Sequence, residues 1–317
     1  MKARSIIDTS QRGALATAFD NLTAAVRAIK NDHIVESAPG GAVYCAPWNM
    51  LESILPHDGD TPMANHVRLY NVTYCTDAWE GRRLTELDDD DALLLSSFLS
   101  DTPTAVGPES NYGVYLASFS LAADGPAATR ASAEGDNPVQ IAAALSAFDQ
   151  RRASSKSLGP VRRPILPGPL LDQGRADGTL YRVKYEDAEV RETLTRLRDP
   201  LAAIGVVSDK TAEPEAIYEL VRVIVSEVLH LYQYQERRQE QEARLVANLP
   251  ISSPLIDIDE SDPGRLYLRS PDVLFTGGGT RILVSPTCRD AAAAMINLKH
   301  RLARHGLLGT TTIGLGE

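Results

Sequence analysis

One stretch limits the possible folds more than any other. Residues 211–248 form the longest helical pattern in the chain and contain no glycine. Within it Ile217, Val221, Ile224, Val228 and Leu231 recur at 4-3-4-3 spacing, the seam of a helix packed along its length. Leu220, Val223, Val225 and Leu229 widen the seam until the helix is apolar nearly all round, which places it inside a core. Glu219, Arg222, Ser226, His230 and Gln233 leave a narrow polar stripe that needs water or a polar neighbour. From Gln235 onward the apolar pattern stops until Leu245. The pattern predicts a buried spine to about Tyr234. A polar helical extension then leaves the core, held by pairs such as Glu240 with Arg244 and ended by Pro250. Gln235, Arg238 and Glu242 continue the seam along that extension and are candidate subunit-contact residues.

The rest of the chain supplies shorter elements. Leu15, Phe19, Leu22, Val26 and Ile29 predict a first helix over residues 9–32, broken by Pro39-Gly40-Gly41. A short helix is expected over 48–55, and strands over 66–76 and 112–121. Thr85 is placed as the cap of a helix whose first turn holds Asp88, Asp89, Asp90 and Asp91, acids that suit the positive end of the helix dipole. Asn137-Pro138 reads as the start of a helix fading near Arg152. Residues 179–186 read as a strand, and 187–198 as a helix cut by Pro200. Towards the end, 265–269, 273–275 and 281–285 read as strands, the last two joined by the Gly277-Gly278-Gly279 turn. A final helix closes at Gly306. The expected class is therefore α+β: mixed helices and short strands around a long central helix, with a C-terminal β-hairpin and helix and no βαβ alternation.

Three regions follow from composition. Residues 151–178 hold four prolines and four glycines without periodicity, so they read as an extended basic arm or linker. The arm separates an N-terminal α+β lobe, 1–150, from a C-terminal α+β lobe, 179–317, that carries the spine helix. Arg151, Arg152, Lys156, Arg162 and Arg163 place five positive charges in thirteen residues of a chain whose net charge is −10. That overall charge excludes a surface devoted to nucleic acid, which leaves only such a local basic patch for it. No aromatic residue interleaves the cluster, so base stacking is not expected. Arg151, Arg152, Arg162 and Arg163 are instead candidate contacts to another subunit.

The motifs that carry chemistry are sparse. His57, Asp58 and Asp60, in the string PHDGD, could ligate a divalent metal if further ligands came from elsewhere. Asp257, Asp259, Glu260 and Asp262 are closely spaced but lack the glycine and glutamate of a calcium loop, and read as a solvated acidic turn. Gly277-Gly278-Gly279 is followed by no Lys-Ser or Lys-Thr pair, as a phosphate loop would need. No cofactor is expected. Cys45, Cys75 and Cys288 are odd in number and widely spaced, which predicts free thiols in a reducing, cytoplasmic compartment. The opening residues MKARSIIDTSQRG contain no signal-peptide apolar run, and no stretch approaches the ~20 apolar residues of a membrane span.

Two function classes compete. The first is a structural subunit of a large homo-oligomeric assembly whose partners are copies of itself and other shell proteins. Viral capsids and capsid-associated proteins are where such subunits are common, and a virion would then be its location. The alternative is a metal-dependent hydrolase built on His57, Asp58 and Asp60.

Overall fold

A computed structural model describes residues 9–38, 40–48, 67–74, 80–99, 112–122, 138–149, 178–211, 214–259, 264–269, 274–275, 279–286 and 288–316. In chain order the elements are α1 (Thr9–Asp32), β1 (Ala42–Pro47), β2 (Arg68–Asn71), α2 (Asp90–Phe98), β3 (Tyr112–Ser120), β4 (Pro138–Ala143), β5 (Tyr181–Arg182) and α3 (Asp187–Ser208). They continue with α4 (Pro214–Leu229), β6 (Glu242–Pro250), β7 (Ile256–Ile258), β8 (Leu266–Arg269), β9 (Thr280–Val284), α5 (Ala291–Arg304) and β10 (Thr311–Leu315). Helices and, among the described residues, a mixed sheet of ten strands make this an α+β fold.

The centre of the sheet is the antiparallel pair β3–β6, in register from Tyr112 opposite Pro250 to Ser120 opposite Glu242. The other edge of β3 is shared: β2 pairs at Tyr115 and Leu116, and β1 meets Ser120. The strand order runs β10-β9-β4-β1-β3-β2-β8-β7, with β6 and then β5 on the far side of β3. Strands from before residue 150 and after residue 179 thus belong to one sheet. Helices α1 to α4 cover one face around Leu22, Val26, Leu197, Val221 and Val225, against Val114 and Val246 of the sheet. The other face buries Tyr115, Phe119, Leu245 and Leu249, with Leu298 and Leu302 of α5 in the same cluster.

The spine helix is present but shorter than its pattern predicts. α4 stops at Leu229, and the polar segment Gln235–Glu240 winds as a 3-10 turn. Gln241, at φ 41°, then takes the left-handed conformation, and the chain enters β6. The expected extension is therefore a central strand, buried from Glu242 to Leu249. Alternation explains the outcome. Ala243, Leu245, Ala247 and Leu249 share one core while Val246 joins the other, a period of two that a sheet satisfies and a helix does not.

Four other expectations change. Residues 138–143 form a strand, because Val139, Ile141 and Ala143 fall on one buried face and Pro138 takes the first strand position. Only Ser146–Asp149 is helical in that region. Helix α3 passes through Pro200 to Ser208. An internal proline costs about 3 kcal/mol. Leu194, Leu197, Leu201, Ile204 and Val207 are all buried, at about 1.5–3 kcal/mol each, which outweighs it. Asp89, not Thr85, caps α2, accepting from the Asp91 amide at 2.9 Å. The C-terminal hairpin is made by β7 and β8. β9 instead pairs antiparallel with β4 and parallel with β10, so β9–α5–β10 is a single βαβ unit that the sequence pattern did not suggest. Among the described residues no helix is long and apolar enough to cross a membrane.

Candidate functional site

The inward polar residues of β6 meet the polar stripe of α4. Asn248 Nδ2 donates to the Val223 carbonyl and to Ser226 Oγ, both at 2.7 Å. Two same-face positions back along the strand, beyond Val246, Arg244 uses all five of its N–H donors. Nε and Nη2 each reach a Glu242 carboxylate oxygen at 2.8 Å. Nη2 also reaches Glu80 Oε2 at 3.0 Å, and Nη1 donates to Glu80 Oε1 and to the His230 carbonyl at 2.6 Å. His230 and Gln233, the last members of the stripe, complete the shell. His230 Nδ1 and Gln233 Nε2 donate to the two oxygens of Glu80 at 2.9 and 3.0 Å. Glu80 thereby fills four acceptor sites, as an ionised carboxylate can.

Two carboxylates, one guanidinium and one imidazole are thus buried together, with no side chain above about a tenth exposed. Burial alone would raise the Glu80 pKa. The Arg244 charge and the hydrogen bond from His230 outweigh it and hold the group well below the usual carboxylate range. Burial opposes the charge of Arg244 as well, but Glu242 and Glu80 keep it firmly protonated. Because ionised Glu80 can only accept, His230 Nδ1 carries a proton. His230 Nε2 has no hydrogen-bond partner among the described residues. The imidazole lies against Gly81, where a Cβ would stand 2.8 Å from its Cε1. Apart from His230 Nε2, the donors and acceptors of the ion cluster are committed to other members, so its chemistry is that of a lock between Glu80, the segment that follows α4 and β6.

A second buried chain ties α1 to α3. His33 Nδ1 lies 2.7 Å from the Arg182 carbonyl, which can only accept, so Nδ1 carries the proton. His33 Nε2 must then accept from the Tyr232 hydroxyl at 2.9 Å, and Tyr232 in turn accepts from Thr193. Burial drives the His33 pKa down to about 4, so the ring is neutral at pH 7.

The structure separates the residues expected at subunit contacts. Glu242 is interior and belongs to the Arg244 cluster, which removes it from any surface. Gln235 and Arg238 lie on the exposed side of the 3-10 turn. Both reach the Glu186 carboxylate, Arg238 Nη1 at 2.7 Å and Gln235 Nε2 at 3.3 Å. Arg151, Arg152, Arg162 and Arg163 fall outside the described residues, as do His57, Asp58 and Asp60. Among the described residues no three His, Cys, Asp or Glu side chains converge as a metal-binding group. Glu80 was missed from sequence because nothing in AWEGRR marks it. Arg244 could have been found from the two-residue alternation of EARLVANL.

The surface feature that stands out is at the ends of the two branches that leave the shared edge of β3, opposite β6 and β5. β7 and β10 terminate the strand order and have no outer neighbour among the described residues. At the β7 end Ile251, Leu255 and Ile258 are exposed, Ile258 by 66%. At the β10 end Leu308 and Leu315 are exposed, Leu315 by 53%. Unpaired edge strands with exposed aliphatic side chains are templates for pairing with another chain. Comparison with known proteins gives no match: no protein-family model, curated protein or solved structure corresponds to this chain.

Proposed function

We propose that the chain is a structural subunit of a large homo-oligomeric assembly, a shell of which a viral capsid is one instance. The observation that carries this reading is the pair of open, aliphatic sheet ends at β7 and β10. The two ends differ in sequence and in strand direction relative to their neighbours, β7 being antiparallel to β8 and β10 parallel to β9. A contact between unlike surfaces is heterologous, and repeating it builds rings or extended arrays instead of a closed two-fold dimer. The buried ion cluster and the His33 chain support the same role, since both fix helices to the sheet and keep the subunit one rigid unit.

Size-exclusion chromatography with light scattering and negative-stain imaging tests the proposal. Particles of many 34.3 kDa copies are expected, growing with concentration. A monomer that persists at high micromolar concentration would overturn it.

A further inference from the structure

Resting on the assembly reading, we propose that copies of this chain join head to tail, the β7 edge of one copy adding to the β10 edge of the next. Among the described residues the main-chain geometry leaves both edges able to pair. The Gly316 amide donates to the Val284 carbonyl at 2.9 Å, so Gly316 faces β9. Strand alternation then turns the amides and carbonyls of Thr311, Ile313 and Leu315 to the open side. At the other end the Asp259 amide donates to the Arg265 carbonyl at 3.0 Å, so Asp259 and Asp257 face β8. Ile258 therefore presents its amide and carbonyl outward, as Ile256 does its carbonyl. The side chains of Ile258 and Leu315 are more than half exposed at these same positions.

Charge selects which edge meets which. Residues 251–269, the β7–β8 hairpin and its approach, hold four carboxylates and two arginines, a net of −2 by sequence, with Glu260 and Asp262 outside the described residues. Residues 280–317, the β9–α5–β10 unit and the residues after it, hold five lysines and arginines and two carboxylates, a net of +3 in a chain of −10 overall. Pairing β7 with β7 would bring two negative hairpins together, and β10 with β10 two positive units. Pairing β7 with β10 joins opposite signs and covers aliphatic side chains on both sides. A three-residue strand against a five-residue strand is a small contact. It is suited to many weak repeats, and assembly should be steeply concentration-dependent.

Proline at an outward-facing position removes the edge donor and leaves the inner ladder intact. Ile258→Pro and Leu315→Pro should each stay folded by circular dichroism. Each should raise the concentration for half assembly by about tenfold or more, which is the loss of about 1.4 kcal/mol. Mixed together, they should form a dimer by mass photometry, since the intact β10 of the first variant can take the intact β7 of the second and neither can extend further. If either proline variant melts early, Ile258→Lys and Leu315→Glu replace them, each placing like charge against its partner edge. Wild-type-like assembly by both folded variants would refute this interface while leaving the assembly reading standing. A dimer formed by Leu315→Pro alone would show β7–β7 pairing and refute the head-to-tail geometry. A wild-type chain that stays monomeric would end the assembly reading and this interface with it.

Discussion

Glu80 and Arg244 lie 164 residues apart in the chain and are joined by two hydrogen bonds, Nη2 to Oε2 at 3.0 Å and Nη1 to Oε1. Both side chains are almost wholly withdrawn from water, at 7% and 3% exposure. A buried pair of this type is weak grounds for stability by itself, because desolvation consumes most of the attraction. Its strength lies in the penalty for breaking it.

Replacing Arg244 with Met should therefore destabilise the fold by about 3–5 kcal/mol, since Glu80 and Glu242 would be left buried without their cation. Adding Glu80→Gln to Arg244→Met should cost much less than the sum of the single changes. Urea midpoints of the two single variants and the double variant give the coupling, and simple additivity would show that the two groups do not interact.

Stability should fall with acid across the window set by His33. Its folded pKa is about 4, while an unfolded histidine titrates near 6.5. Between those values the unfolded chain takes up a proton that the folded chain refuses. The contribution of His33 is thus complete above about pH 6.5 and is lost as pH falls toward 4, by about 3 kcal/mol in all. Urea unfolding at pH 7 and pH 5 should show a clearly smaller drop for His33→Gln than for the wild type. Equal drops would mean that His33 titrates normally.

Gly81→Ala should cost more than about 1 kcal/mol through two separable effects. Gly81 sits at φ +74°, and the new Cβ would press on His230. Combining it with His230→Ala removes the collision but not the backbone strain, so the second change should cost less in the Gly81→Ala background than alone. Thermal melts of the three variants decide this.

The 3-10 turn offers the opposite case. Arg238 and Gln235 hold Glu186 at the surface, where an exposed ion pair contributes at most about 1 kcal/mol. Arg238→Ala with Gln235→Ala should leave the melting temperature within a few degrees of wild type. Any larger change in particle formation would then be read as a contact between subunits.

Much of the helical layer is legible in the sequence, because Phe19, Leu22, Val26 and Ile29, or Val221, Val225 and Val228, repeat at a helical period and are all buried. The polar stripe through Ser226, His230 and Gln233 is legible too, along with its need for a polar partner. The partner itself is hidden, since QERRQEQEAR is rich in good helix formers and local propensity favours continuing the helix. Tertiary pairing with β3 overrides that propensity, and the alternation of Glu242, Arg244 and Asn248 with Ala243, Leu245 and Leu249 is its trace. Strand β4 is masked in the same manner by Asn137-Pro138, a dipeptide that opens helices and strands alike. β10 carries no pattern of its own. Its place depends on β9 lying parallel beside it, a relation that no local signal encodes.

The pairing of β3 with β6 also sets an order of events on the ribosome. Ser120 Oγ donates to the Glu240 carbonyl at 3.0 Å across 120 residues of chain. At a synthesis rate of roughly 5–20 residues per second, the first half of this ladder waits roughly 6–24 s for the second. During that interval Tyr115 and Phe119 have no β6 to lie beside, and β3 is an open template in a nascent chain. The chain is thus most vulnerable to misassociation before it is finished, and a truncation ending ahead of Glu242 is left with that exposure permanently.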